Sequence, residues 1–229
     1  MLASNAVTKK FLRKTAVDSV SISLEKGRVY ALLGPNGSGK TTWMKMAAGL
    51  LLPTSGTMTY KGKPIGIESK KEIAYMSTEP YFYNWMTVKD VGKYYQDFFA
   101  DFSMDRFQEL IARMDLTNDL KTKALSSGMM AKLKIAVTMA RKAKVYLLDE
   151  PLNGIDLLAR DEIMKTIRES IDGEAIILLS THLVDELEDV VDDVIFMKNS
   201  VMVGQWTVDD LHNNLQTSVA DKYRQIYGM

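Results

Sequence analysis

Apolar residues along this chain recur with two different spacings, and the switch between them separates strands from helices. Val17, Val20, Ile22 and Leu24 keep a partly alternating pattern, which predicts short strands separated by turns over residues 1–33. Glu25, Lys26 and Gly27 form a polar turn before the apolar run VYALL at 29–33. A glycine-rich loop comes next, then a helix-like run from Thr41 to Ala48 closed by Gly49. After a turn at Pro53 to Gly56, Thr57–Tyr60 pairs across Lys61, Gly62 and Lys63 as a hairpin. Ile73–Met76 is another short strand.

From Val88 the spacing becomes helical. Val88, Val91, Tyr95, Phe98 and Phe102, then Phe107, Leu110, Ile111 and Met114, predict a helical unit over about residues 86–125. These aromatics read as a helix core rather than a cofactor-stacking surface. Another helix begins after Ser126, with Met129, Leu133, Ala136, Val137 and Ala140 on one face. Lys132, Lys134, Arg141, Lys142 and Lys144 read as its solvated face, with favourable charge near its C-terminus. The remainder predicts a buried strand at Val145–Leu148, a helix near Leu157 to Ser170 and a strand at Ala175–Leu179. An acidic helix from Val184, a hairpin joining Val194–Met197 to Val201–Val203, and a helical tail from Thr207 complete it. Such alternation of strand and helix argues a mostly parallel sheet with helices on both faces.

Composition narrows the classes. At 229 residues with 46% hydrophobic and 25% charged residues, the chain is of ordinary globular type, large enough for one sizeable core. Lys+Arg 29 balances Asp+Glu 29, so no global basic field draws the chain to nucleic acid. Cysteine is absent, which excludes disulfide and thiolate–metal chemistry and suits a cytosolic chain. Met1 to Lys14 lacks the apolar centre of a signal peptide, and no apolar run approaches the length of a membrane span. The chain is therefore expected not to cross a membrane by itself.

The glycine-rich loop carries the chemistry. Gly34 to Thr42 reads GPNGSGKTT between a strand and a helix, the context that gives the G-x-x-x-x-G-K-[ST] pattern its meaning. Asn36, Gly37, Ser38 and Gly39 let backbone N–H groups turn inward on an anion, with the helix N-terminus adding its positive end. Lys40 is expected to reach the β- and γ-phosphates of a nucleoside triphosphate, and Thr41, beside Thr42, to ligate Mg²⁺. Asp149 and Glu150 end a hydrophobic strand, where α/β sheets place ligand groups. Asp149 suits an indirect Mg²⁺ contact, and Glu150 could polarise an attacking water.

Five motifs in register carry a resemblance: the loop at 34–42, LSSGM at 125–129, LLDEP at 147–151, NGID at 153–156 and STH at 180–182. Their order and spacing, over essentially the whole chain, resemble an ABC ATPase. Within that family the chain resembles the separately encoded nucleotide-binding subunits of bacterial ABC exporters, a group with many antimicrobial peptide, drug and lipid exporters. The resemblance implies one ABC ATPase domain, 1–229: a P-loop α/β core with an antiparallel β portion and an inserted helical subdomain at about 86–128. It further implies ATP and Mg²⁺ as ligands, and a homodimer or a heterodimer with a related ATPase. A separately encoded transmembrane permease would be the partner, placing the chain in the cytoplasm, peripheral on the inner face of the cell membrane. An ATPase of a soluble, non-transport ABC complex of the cofactor-assembly type remains an alternative.

By the same resemblance, Ser126 and Gly128 belong to the signature that faces the γ-phosphate of the partner subunit's ATP. Read from the residues alone, Ser126 to Gly128 is a helix cap. Asp156 matches the aspartate that communicates across the dimer, and His182 the switch histidine that contacts γ-phosphate and supports Glu150. Phe11 aligns with the aromatic that stacks on adenine; its bland reading is simple packing. Two departures stand out. Ser127 and Met129 replace the usual glycine and glutamine of the signature, and Thr78, next to Glu79, occupies the position of the glutamine that reads Mg²⁺. Threonine is shorter and could reach the metal through water. The neighbouring Tyr81, Phe82, Tyr83 and Trp85 fit either a protein interface or the core of the helical unit.

Overall fold

The computed structural model of the chain describes all residues except 80, 170–172, 185–186 and 229. Two sheets share one core. The first is antiparallel and contains β1 (Leu2–Phe11), β2 (Lys14–Leu24), β4 (Ser55–Tyr60) and β5 (Lys63–Pro64), in the order β2-β1-β4-β5. The second contains β3 (Val29–Leu33), β6 (Ile73–Met76), β7 (Val145–Asp149), β8 (Ile176–Thr181), β9 (Asp193–Lys198) and β10 (Val201–Thr207). Its order is β10-β9-β3-β8-β7-β6, parallel throughout except where β10 turns back along β9.

Every residue of β3, β7 and β8 is buried, as expected of parallel strands covered on both faces. Successive side chains alternate between two apolar clusters. Ala31, Leu33, Leu148 and Leu179 face one side; Tyr30, Leu32, Leu147 and Leu178 face the other. The second side is covered by the antiparallel sheet and by α1 (Lys40–Ala47), whose Trp43, Met44 and Met46 are buried. Trp43 Nε1 donates to Ser4 Oγ at 3.2 Å, tying α1 to β1. A short helix, α2 (Ile67–Glu72), precedes β6; its polar sequence, IESKKE, carries no periodic signal.

The first side is covered by helices. α3 (Val88–Phe98) starts with a reciprocal cap between Thr87 and Asp90, and buries Val88 and Val91. The expected stripe breaks at its end: Phe98 is exposed, and Phe102 is buried beyond the helix, bridged to Arg141. α4 (Met104–Arg113) is capped by Ser103 and buries Phe107, Leu110 and Ile111 as its spacing predicts. Of the aromatics after Thr78, Phe82 packs on the core, whereas Tyr83 and Trp85 are exposed and stacked on each other at 5.9 Å.

α5 (Ser127–Met139) corrects the expected solvated face. Lys134, inside the helix, and Arg141, just past its end, are 6% and 4% exposed, because the helix is buried on nearly all sides between β6, β7 and α4, while Lys142 and Lys144 are exposed as expected. Arg141 is satisfied there by Asp101, by the carbonyls of Ile73 and Lys71, and by the Phe99 ring 4.2 Å away. α6 (Leu157–Glu169) comes next, as expected. The acidic helix expected from Val184 is not seen: the described residues from Leu183 to Asp192 form turns, with Leu187 and Val191 buried, and 185–186 lie outside the described residues. The tail forms α7 (Val208–Asn213) and α8 (Val219–Tyr227). α8 reaches back to the core, where Tyr227 OH lies 2.8 Å from Met197 O and 3.3 Å from Leu33 O. Among the described residues no helix is long and apolar enough to cross a membrane.

Candidate functional site

The C-terminal ends of β3, β7 and β8 lie side by side, with Leu33 opposite Thr181 and Asp149 opposite Ser180. The groove outside those strand ends is where an open α/β sheet receives a ligand. The loop from β3 to α1 fills its floor. Gly37 and Gly39 have φ of 82° and 109°, in the left-handed region that L side chains rarely adopt. A Cβ on Gly39 would also stand 2.5 Å from Ala16 O, so both conformation and space require glycine there. Asn36, Gly37, Ser38 and Gly39, with Lys40, Thr41 and Thr42, line a cavity of about 300 Å³. Its opposite wall comes from Thr78, Glu150, Asn153 and His182, and its rim from Lys14 and Ala16 of β2.

Lys40 is buried with its Nζ 2.6 Å from Gly34 O and 3.5 Å from Glu150 Oε1. The Ser38 hydroxyl is buried within the loop with no protein partner among the described residues. An orphaned hydroxyl, a lysine and a glycine-rich turn at a helix N-terminus in one concavity fit an anion such as a phosphate chain.

Behind this cradle Asp149 is fully buried and accepts three hydroxyl hydrogen bonds. Ser180 Oγ donates to Oδ1 at 2.6 Å, Thr41 Oγ1 to the same oxygen at 3.1 Å, and Tyr75 OH to Oδ2 at 3.3 Å. Burial, and then the nearby Asp149 carboxylate, push the Tyr75 phenol well above its ordinary value, so it stays a donor. Thr41 with Asp149 offers the hard oxygen ligands that Mg²⁺ prefers.

Glu150 has φ of 49°, a left-handed conformation that costs a non-glycine residue on the order of 1–3 kcal/mol. Its N–H donates to Ser180 O at 3.1 Å and lies 2.9 Å from Ser180 Oγ, which holds that backbone in place. The turn swings the Glu150 carboxylate away from the strand and toward the cavity. There Oε2 meets His182 Nδ1 at 3.0 Å. A mostly buried carboxylate facing an exposed imidazole and a buried lysine is a suitable arrangement for polarising water next to a phosphate.

The remaining expected residues are placed apart. Phe11 ends β1 with its ring exposed; it is paired with Lys14 across the hairpin, so it neighbours the rim without lining the cavity. Ser126 is exposed as the cap of α5, its Oγ accepting from Met129 N at 3.2 Å, and it too lies off this cavity. Gly128 packs on the neighbouring loop, where a Cβ would stand 2.9 Å from Gly154 O. Asp156 caps α6 by accepting from Ala159 N at 3.0 Å. Thr78 does line the cavity, while its carbonyl accepts from Lys134 Nζ.

Sequence reasoning gives no site role to Tyr75 or Lys134, nor to Asn153 and Ser180, although the NGID and STH motifs contain them. The register of β7 with β8 is the signal for Ser180, since residues opposite each other at parallel strand ends share the crevice. Tyr75 comes from the two-residue period of β6, which buries Ala74 on one side and turns Tyr75 to the other.

The model of the ABC transporter family matches residues 17–153. YxlF of Bacillus subtilis (strain 168), an uncharacterized ABC transporter ATP-binding protein, is 33% identical over 96% of this chain and 75% of its own length. The lantibiotic transport ATP-binding protein SrtF of Streptococcus pyogenes is 30% identical over 93% of this chain and 96% of its own. In fold, the chain is similar to a solved ATP-binding subunit of an ABC transporter, with a TM-score of 0.87 over 99% of both chains at 23% identity. The glycine loop and the acidic strand end lie within the residues the family model matches, and the chain belongs to the ABC transporter family as one of its ATP-binding, ATP-hydrolysing subunits.

Proposed function

We propose that this chain powers an ABC exporter, and that two copies, or one copy with a related chain, enclose two ATP molecules head to tail. The observation that carries the reading is how the site is divided. Lys40, Glu150 and His182 converge on one cavity, whereas Ser126 stands exposed on the surface at the start of α5, off that cavity. A serine hydroxyl and a helix N-terminus both donate to anions, which suits them to the γ-phosphate held by a second subunit.

In this reading the loop amides and Lys40 hold the phosphates in line. Glu150 takes the proton of the attacking water, and His182, 3.0 Å away, keeps the carboxylate aimed. Thr41, with Asp149 behind it and Thr78 on the opposite wall, would hold Mg²⁺, which would supply positive charge beside the phosphates. Phe11 stacks on the adenine edge, and Asp156 carries the state of one site toward the other. ATP binding closes the pair; hydrolysis and release reopen it, and a separately encoded permease converts the motion into transport. The exposed, stacked Tyr83 and Trp85, just before α3 and the insertion at about 86–128, form a surface suited to that permease.

Among antimicrobial peptide, drug and lipid cargoes, the similarity to SrtF, a lantibiotic transport ATP-binding protein, supports the peptide class, and in this reading the chain sits on the cytoplasmic face of the membrane through its permease. The test is purification from native membranes, then phosphate release with Mg-ATP. Co-purification with a polytopic subunit and Mg²⁺-dependent turnover are expected. A soluble scaffold in place of the polytopic subunit would overturn the export reading.

A further inference from the structure

Lys134 lies in the middle of α5, yet only 6% of it is exposed. Its Nζ donates to two successive carbonyls, Ser77 O and Thr78 O, each at 2.7 Å. Those residues come directly after β6, beyond its last ladder pair, Met76 with Leu148. Leaving the sheet, this stretch is therefore pinned by a side chain from α5. The Lys134 side chain also lines a second cavity, of about 260 Å³, which shares Thr78, Glu150 and Asn153 with the nucleotide cavity.

A buried ammonium is a poor device for stability alone. Burial penalises its charged form, and an apolar residue of similar volume would pack at no such cost. What the ammonium supplies is geometry: two short bonds that fix the distance between α5 and the loop. At one end of this linkage stands Thr78 in the nucleotide cavity. At the other, α5 is capped by Ser126, on the surface offered to a second subunit.

We infer that Lys134 is a positioning residue for ATP hydrolysis, locking the Ser77–Thr78 loop to α5 so that both sides of the closed site move as one body. It acts through Thr78 and its neighbours, not by touching the reacting phosphate. This role rests on the chain's being an ATPase, which the same experiment can fail separately.

Lys134→Met keeps the apolar stem and removes the two donors; Lys134→Arg keeps charge and donors. Hydrogen exchange of the nucleotide-free chain is measured first. In Lys134→Met, amides of the segment from Ser77 to Met86 should exchange at least tenfold faster, with those of β7 unchanged. In Mg-ATP turnover, kcat should fall at least tenfold while the KM for ATP stays within threefold, and Lys134→Arg should recover most of the loss. Thr78→Ala should cost less in the Lys134→Met background than in the wild type, because the loop is already released.

Unchanged exchange would overturn the inference, as would wild-type kcat in Lys134→Met or a Thr78→Ala loss that multiplies undiminished. If Lys134→Met does not fold, Lys134→Gln, whose shorter, uncharged side chain lacks the reach of the ammonium, takes its place under the same criteria. Absence of Mg-ATP turnover in the wild type would instead defeat the functional reading, whatever the exchange data show.

Discussion

His182 Nδ1 and Glu150 Oε2 face each other at 3.0 Å across the ends of two adjacent parallel strands. The contact does not come from the side chains alone. Glu150 leaves β7 in a left-handed conformation, and both its N–H bonds are made to Ser180, two residues before His182. Ser180 also donates to Asp149. One serine thus sets the place of the buried aspartate, of the glutamate beside it and, through the chain, of the histidine.

Glu150→Gln should retain ATP binding and lower kcat by about 100-fold or more, since the amide keeps the shape of the carboxylate but cannot take a proton. The same variant should accumulate an ATP-bound dimer, visible by size-exclusion chromatography with Mg-ATP. Turnover close to wild type would show that the proton goes elsewhere.

Specific activity of the isolated subunit should rise with its concentration until dimers saturate. Ser126 lies off its own chain's cavity, so the complete site forms by mass action between chains. Phosphate release across a dilution series, with light scattering on the same samples, checks this. Flat specific activity from confirmed monomers would contradict it.

Thr78→Ala should reduce partner-stimulated ATPase several-fold while changing ATP affinity less than threefold. Thr78 stands between the nucleotide cavity and the stretch that leads to the exposed, stacked Tyr83 and Trp85. Activity with and without the permease, beside equilibrium binding, separates the two effects. Loss of affinity with stimulation intact would make Thr78 a nucleotide-site residue only.

Arg141→Ala should destabilise the fold by about 3 kcal/mol, in the range measured when one partner of a buried ion pair is removed. The substitution strands the Asp101 carboxylate and frees the carbonyls of Lys71 and Ile73. Urea unfolding monitored by circular dichroism gives the value; a change below about 1 kcal/mol would place Arg141 among ordinary surface charges.

Strand and helix periods are legible wherever one face of an element meets the core and the other meets water. β2 and α4 meet that condition, and their buried positions are those that the spacing picks out. α5 does not. Buried on nearly all sides, it offers no contrast from which to tell that Lys134 points inward, and lysine in a helix reads as solvated by default. Phe98 departs from the expected stripe for the opposite reason: α3 ends there, and helical spacing no longer sets the direction of residues past its last turn. The site is more readable than the core around it. Gly34–Thr42, Asp149, Glu150 and His182 sit at strand ends, where local sequence dictates local geometry. Tyr75 and Ser180 reach Asp149 only through strand pairing, which a single sequence does not display.

The place of β3 has a bearing on how the chain is made. This strand, apolar at every position, is paired on one side with β8 and on the other with β9, and with no strand adjacent to it in sequence. On the ribosome Val29–Leu33 emerges long before either neighbour is synthesised. Until residues 176–198 arrive, its backbone donors and acceptors are open to any other strand that passes. Pairings this distant close slowly, and exposed strands of this kind aggregate in the interval. Depleting chaperones that shelter nascent chains should therefore reduce the soluble yield of this protein far more than its stability, once folded, would suggest.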